Sequence, residues 1–200
     1  FSKHHPALPL YNEKDVEKCL QQFLPVPFHK DFKLNPEIEM RFSKSGHILG
    51  SACIQVQVGA LRLVFSGDLG RQHDLVMNPP EAISDADYLC LESTYGYRDH
   101  EASDPLMQLK EVITQTMARD GVLLIPSFAV GRTQSLIYAI YRLKKDSLIP
   151  NVPVYLNSPM ALDATEIFCT SPSEHRLNEE DAVGACSSIH YVHSVEESKA

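Results

Sequence analysis

Gly46-His47-Ile48-Leu49-Gly50-Ser51-Ala52 and Phe65-Ser66-Gly67-Asp68-Leu69-Gly70-Arg71 frame the part of this chain that decides its fold. Between them, Ile54, Val56 and Val58 alternate with Gln55 and Gln57, the mark of a half-buried strand. Gly59-Ala60 reads as a hairpin turn, and Leu61-Arg62-Leu63-Val64-Phe65 returns as the second strand. In an antiparallel pair the start of one strand lies beside the end of the other. The hairpin is therefore expected to bring His47 and Asp68 to one sheet edge. Imidazole nitrogen and carboxylate oxygen together suit zinc and similar divalent ions, and flanking glycines let the backbone approach an ion or a phosphate closely. Two donors fall short of the three that a catalytic zinc site needs. Read alone, His47 is equally a turn histidine bonded to backbone, and Asp68 an Asx-turn residue.

Outward from the hairpin, residues 12–23 read as a helix. Asn12 is its N-cap, Glu13 and Asp15 lie in its first turn, and Val16, Cys19, Leu20 and Phe23 form its apolar stripe. Beyond Glu92 the rhythm becomes β/α. Asp104-Pro105 opens a helix with a buried stripe of Leu106, Leu109, Val112, Ile113, Thr116 and Met117, closed by Gly121. Val122-Leu123-Leu124-Ile125 is a continuous apolar run, as a parallel strand covered on both faces would be. A helix over 130–145 follows, with Leu136, Ile137, Ile140, Tyr141 and Leu143 as its core face. A strand over 152–156, a helix opening at Pro159, a strand over 188–192 and a capping-box start at Ser194 complete a Rossmann-like α/β unit.

With 200 residues, 44% hydrophobic and 22% charged, the composition is that of an ordinary globular protein. No apolar run approaches the ~18 residues of a membrane span, and the start shows no signal-peptide h-region, so a cytoplasmic location is expected. A first residue other than Met suggests a cut piece. The five cysteines are odd in number and lack any C-x-x-C, which argues against a disulfide framework and for a reducing compartment. The net charge of −8 excludes a broad basic nucleic-acid face. Any phosphate would have to be held by metal and a few placed groups.

The two framing turns resemble successive metal-ligand motifs of the metallo-β-lactamase superfamily. Three further segments sharpen the likeness. Leu89-Cys90-Leu91-Glu92-Ser93-Thr94-Tyr95-Gly96 is similar to the acidic motif at the border of the β-CASP domain. Pro126-Ser127-Phe128-Ala129-Val130-Gly131-Arg132-Thr133-Gln134 and Asn157-Ser158-Pro159-Met160-Ala161 are similar to strand-to-helix turns inside that domain. The likeness, spanning 46–161, is to the β-CASP nucleases, a group that includes the endonuclease subunit of the pre-mRNA 3′-end cleavage machinery. It implies an α/β fold in which residues 1–96 form the second part of a metallo-β-lactamase αββα domain. Residues 97–200 would then form most of a Rossmann-like β-CASP parallel-sheet domain.

What the resemblance implies about chemistry is zinc-dependent phosphodiester hydrolysis of RNA in the intact parent. His47 and Asp68 would be metal ligands, with Asp68 bridging two zinc ions. Glu92 would orient a proton-donating histidine lying beyond residue 200. Ser127, Arg132, Asn157 and Ser158 would bind substrate phosphates through helix N-termini and the Arg132 guanidinium. A structural salt bridge is the bland alternative for Arg132, which is unfavourable with the dipole of its helix. The H-x-H-x-D-H loop that supplies most ligands in the superfamily does not occur here. The isolated chain is accordingly expected to hold zinc partially or not at all and to be inactive. RNA is favoured over single-stranded DNA by the Glu-Ser-Thr-Tyr-Gly form at 92–96, no membrane contact is expected, and a homodimer is admitted. Competing readings are a non-catalytic RNA-processing scaffold, a β-CASP DNA nuclease, and, last, an unrelated nucleotide-binding domain, for which no phosphate-loop motif is present. His29, His73, His175, His190, His193, His4, His5 and His100 are read as surface or loop residues.

Overall fold

In the computed structural model, which describes residues 9–99 and 103–199, the hairpin forms as β3 (Ala52–Val58) and β4 (Leu61–Phe65). Val58 stands opposite Leu61 and Ile54 opposite Phe65. β2 (Ile38–Lys44) pairs antiparallel with β3, and β1 (Phe32–Asn35) extends the meander. β5 (Tyr88–Cys90) joins β4 in parallel, with Phe65 opposite Cys90, to close a five-stranded sheet in order β1-β2-β3-β4-β5. The Asp68 turn leaves the end of β4 beside the end of β5, so the residues following both strands meet at one edge.

The second half is helical around a short sheet. α2 (Pro105–Met117) is capped by the Asp104 side chain, α3 (Arg132–Lys145) starts at Gly131, and α4 (Pro159–Cys169) is capped by Ser158. Asn178 caps α5 (Glu179–Ser187), and β6 (Tyr155–Leu156) pairs in parallel with β7 (His190–Tyr191). Ile137, Tyr138, Phe168, Leu177, Ala182, Ala185 and Ile189 pack together with Val76 and Met77, which come from the loop between β4 and β5. A second cluster joins Ile113, Ile140, Leu143 and Ile149. The core face read for α3 is correct, with Ile137, Ile140 and Leu143 buried.

Several local expectations are corrected. Residues 122–125 make no strand, and Val122 and Leu124 are exposed, because no neighbouring strand offers them a ladder among the described residues. The strands expected over 152–156 and 188–192 shrink to two residues each. Val112 faces outward, while Ile113 and Thr116 are the buried residues of α2. That helix is closed by Asp120 in the left-handed region (φ 52°), one residue before the expected Gly121. α1 (Glu13–Leu20) has the Asn12–Asp15 capping box, but all its residues are exposed, so its apolar stripe does not reach a core. The helix start at Ser194 becomes a single 3₁₀ turn, Glu197–Lys199.

The cysteine reading is corrected at one pair. Cys169 and Cys186 form a disulfide with Cα atoms 6.4 Å apart, tying the end of α4 to the end of α5. They stand seventeen positions apart in sequence, and helix packing, which no C-x-x-C spacing signals, brings them together. Cys19, Cys53 and Cys90 are free.

His175 is neither surface nor loop-exposed. It is 4% exposed, its ring lies 4.5 Å from that of Phe168, and its backbone bridges to Met77. Both ring nitrogens lack a hydrogen-bond partner. Burial lowers its pKa from the ordinary 6.5, opposed in part by the Phe168 carbonyl and the Glu174 carboxylate. Around it, Lys44 Nζ bonds Glu174 at 3.1 Å and the Arg176 guanidinium bonds the Asp74 carbonyl at 2.9 Å. The folded state therefore binds a proton at this ring less readily than the unfolded chain does. Its contribution is complete above pH 6.5 and is lost as pH falls from there toward the depressed folded pKa. His175→Leu is expected to weaken the fall in melting temperature between pH 7.5 and about pH 5.5, measured by circular dichroism. An unchanged slope in the variant would contradict this account.

Candidate functional site

The two turns flanking the hairpin are locked together through backbone that admits no side chain. Gly46 sits at φ 70°, and a Cβ there would strike the Asn78 carbonyl. A Cβ on Gly70 would overlap the Gly46 carbonyl. Through this close approach the Gly70 N–H donates to the Ser45 carbonyl at 2.8 Å. Ser45, fully buried, donates its hydroxyl to the Asp68 carbonyl at 2.8 Å. On the other side, Ser51 Oγ accepts the N–H groups of His47 and Ile48, both at 3.1 Å, and fixes the His47 turn.

This places His47 Nε2 3.9 Å from Asp68 Oδ2. The separation is too long for a hydrogen bond and is one that a cation with ~2 Å ligand distances can bridge. Their side chains are 46% and 74% exposed, so both donors are open to an incoming ion. Among the described residues no third His, Cys, Asp or Glu converges on them. The donor chemistry fits a divalent metal, and the pair alone falls short of a full ligand set among the described residues.

Glu92 follows β5 at the same edge. Its Oε1 accepts the Leu69 N–H at 2.8 Å, and its Oε2 accepts the Thr94 N–H at 3.3 Å and the Thr94 hydroxyl at 2.7 Å. The Glu92 N–H donates to Ser66 Oγ at 2.9 Å. These donors, the Leu69 N–H foremost, hold its pKa below the ordinary carboxylate value, with nearby His47 adding a smaller push in the same direction. Glu92 is thus an ionised acceptor bonded directly to the residue after Asp68.

The 126–134 turn meets this edge at one point. Gly131, at φ 82°, has no room for a Cβ, which would lie 2.8 Å from Ile48 Cγ2, next to His47. Gln134, buried, accepts the Gly131 N–H at 2.7 Å and donates to the Ala129 carbonyl and the Thr165 hydroxyl. Ser127 Oγ bonds Thr133 Oγ1 at 2.7 Å. The N–H groups of Gly131, Arg132 and Thr133 are all taken within the turn. What remains open here is the guanidinium of Arg132, exposed and without an ion pair among the described residues. The salt-bridge alternative for it finds no partner. Asn157 donates to Ser198 Oγ at 2.7 Å, a distant residue in the chain, and Ser158 caps α4, so both side chains are engaged within the fold.

Sequence reasoning passed over Ser45, Ser51 and Ser66. Their signal was present, each serine lying within or beside a glycine-framed turn, but a serine's bonding target is not legible from spacing.

Residues 133–200 match the model of the Beta-Casp domain. The chain is 34% identical to Ribonuclease TTHA0252 of Thermus thermophilus over 154 residues, 76% of this chain and 35% of that protein. It is 32% identical to the transcription termination factor FttA of Methanosarcina mazei over 81% of this chain and 26% of that protein. It is 30% identical to the cleavage and polyadenylation specificity factor subunit 3-I of Arabidopsis thaliana over 80% of this chain and 24% of that protein. The chain therefore spans between about a quarter and about a third of the length of these relatives.

Gly70→Ala tests the locking contact. Overpacking at this site is expected to cost about 1–3 kcal/mol, seen as a loss of several degrees in melting temperature. A variant that melts with the unmutated protein would show that the two turns are not held by this approach.

Proposed function

We propose, for a chain that belongs to the β-CASP group of the metallo-β-lactamase superfamily, that its parent is a metal-dependent ribonuclease. Residues 1–96 would belong to the metallo-β-lactamase domain and residues 97–200 to the β-CASP domain. The observation that carries the reading is the meeting of His47 Nε2 and Asp68 Oδ2 at 3.9 Å beside a Glu92 carboxylate held by three donors. A scaffold has no need to keep all three in place.

His47 and Asp68 would hold zinc together with ligands from elsewhere in the parent. Bound metal supplies charge neutralisation at the phosphate and a water acidic enough to attack near neutral pH. The chain's own groups do the rest. Glu92, ionised and clamped by Leu69 and Thr94, is set to accept a hydrogen bond from a proton-donating side chain and to fix its direction. Arg132 supplies a forked cation for a phosphate of the bound strand. With a net charge of −8, the chain offers no broad attraction to nucleic acid, so affinity rests on a few placed contacts. The relative from Thermus thermophilus, named a ribonuclease, supports RNA as substrate.

The test is single-stranded RNA cleavage by the full-length protein. Asp68→Asn and His47→Ala are each expected to lower kcat/KM at least about 100-fold, and a chelator should abolish cleavage reversibly on zinc addition. Arg132→Ala should raise KM about tenfold with a smaller change in kcat. Chelator-insensitive cleavage, or full activity in Asp68→Asn, would contradict the assignment.

A further inference from the structure

Three residues after Glu92, the chain builds a feature that the metal-centred reading does not use. Tyr95, Tyr97 and Arg98 cluster at the surface. The Arg98 guanidinium carbon lies 5.2 Å from the Tyr95 ring centroid and 5.6 Å from that of Tyr97. The tyrosines are 53% and 78% exposed. Arg98 makes no ion pair among the described residues, although Asp99 is its neighbour in sequence.

The segment is held by its backbone. Gly96 N–H bonds the Ser93 carbonyl at 3.1 Å and Arg98 N–H bonds the Tyr95 carbonyl at 3.2 Å, giving two consecutive turns. The first of these turns is anchored at Thr94 by the Glu92 carboxylate, whose other oxygen holds Leu69. The cluster is thereby tied to the same carboxylate that borders Asp68, and it stands next to the reacting edge.

We propose that Tyr95, Tyr97 and Arg98 form a stacking platform for an unpaired RNA base adjacent to the phosphate being cleaved; this rests on the ribonuclease reading above. An aromatic face with a guanidinium over it is matched in shape and electrostatics to a nucleobase, which stacks on both rings and planar cations. Stacking of this kind is tolerant of sequence because every base has a π-face. A base within a duplex has no free face to offer, so the platform selects a single-stranded segment. It also answers the charge problem: a chain of net charge −8 gains affinity for a polyanion where base contacts, which carry no charge, add to the few phosphate contacts.

The experiment measures binding of a fluorescein-labelled single-stranded RNA octamer to the full-length protein by anisotropy, with chelator present so that the RNA stays intact. Tyr97→Ala is expected to raise Kd about tenfold, Arg98→Ala severalfold, and Tyr97→Phe to bind as the unmutated protein does. In a series of octamers each carrying one abasic position, one position should weaken binding to the unmutated protein and have no further effect on Tyr97→Ala. Tyr97→Ala that binds all these RNAs like the unmutated protein would overturn the platform while leaving the ribonuclease reading intact. So would an abasic loss of equal size in both proteins. If the unmutated protein binds no RNA, the ribonuclease reading fails and the platform with it. Matching melting curves for Tyr97→Ala and Tyr97→Phe separate loss of the ring from loss of the fold.

Discussion

The close approach of Gly70 to the Gly46 carbonyl, which leaves no room for a Cβ on Gly70, sets the geometry of the candidate site. Two backbone segments, one before β3 and one after β4, come so close that Gly70 cannot carry a side chain at the point of contact. Because they do, Ser45 reaches the Asp68 carbonyl and the Gly70 N–H reaches Ser45. His47 and Asp68 then face each other across a gap that a metal ion can span. The interaction is steric and local, and it converts the closure of a hairpin into a placed pair of side chains. Glu92 extends the same logic by one strand, since the parallel pairing of β5 with β4 delivers it to the Leu69 N–H.

Charge works here by placement. The pKa of Glu92 is lowered chiefly by three neutral donors, with a smaller push from His47. Arg132 sits in the first turn of α3, where the helix dipole disfavours it, and among the described residues it has no carboxylate partner. An unpaired cation at a helix N-terminus with its backbone donors already satisfied is a group waiting for an anion.

The hairpin was fully legible in the sequence, because strand alternation and a Gly-Ala turn act over neighbouring residues and antiparallel geometry follows from them. So were two caps: Asn12 and Asp104 each bond where their residue type predicts. What failed depended on partners remote in sequence. Val122-Leu123-Leu124-Ile125 has the composition of a buried strand yet pairs with nothing described. The burial of His175 against Phe168 and the joining of Cys169 to Cys186 follow from how α4, α5 and the Met77 loop pack. At the site, the donor residues were legible as metal-ligand types in glycine turns, whereas the serines that fix those turns, and the closing of the 126–134 N–H groups onto their own turn, were not. A short polar side chain has many targets within reach, and only the tertiary backbone chooses among them.

The most direct test of the account is crystallographic anomalous scattering at the zinc edge from the full-length protein. The account predicts a peak within ligand distance of His47 Nε2 and an Asp68 carboxylate oxygen, with Glu92 outside the coordination shell and still bonded to the Leu69 N–H. Zinc held elsewhere, or an Asp68 carboxylate turned away from the ion, would contradict it.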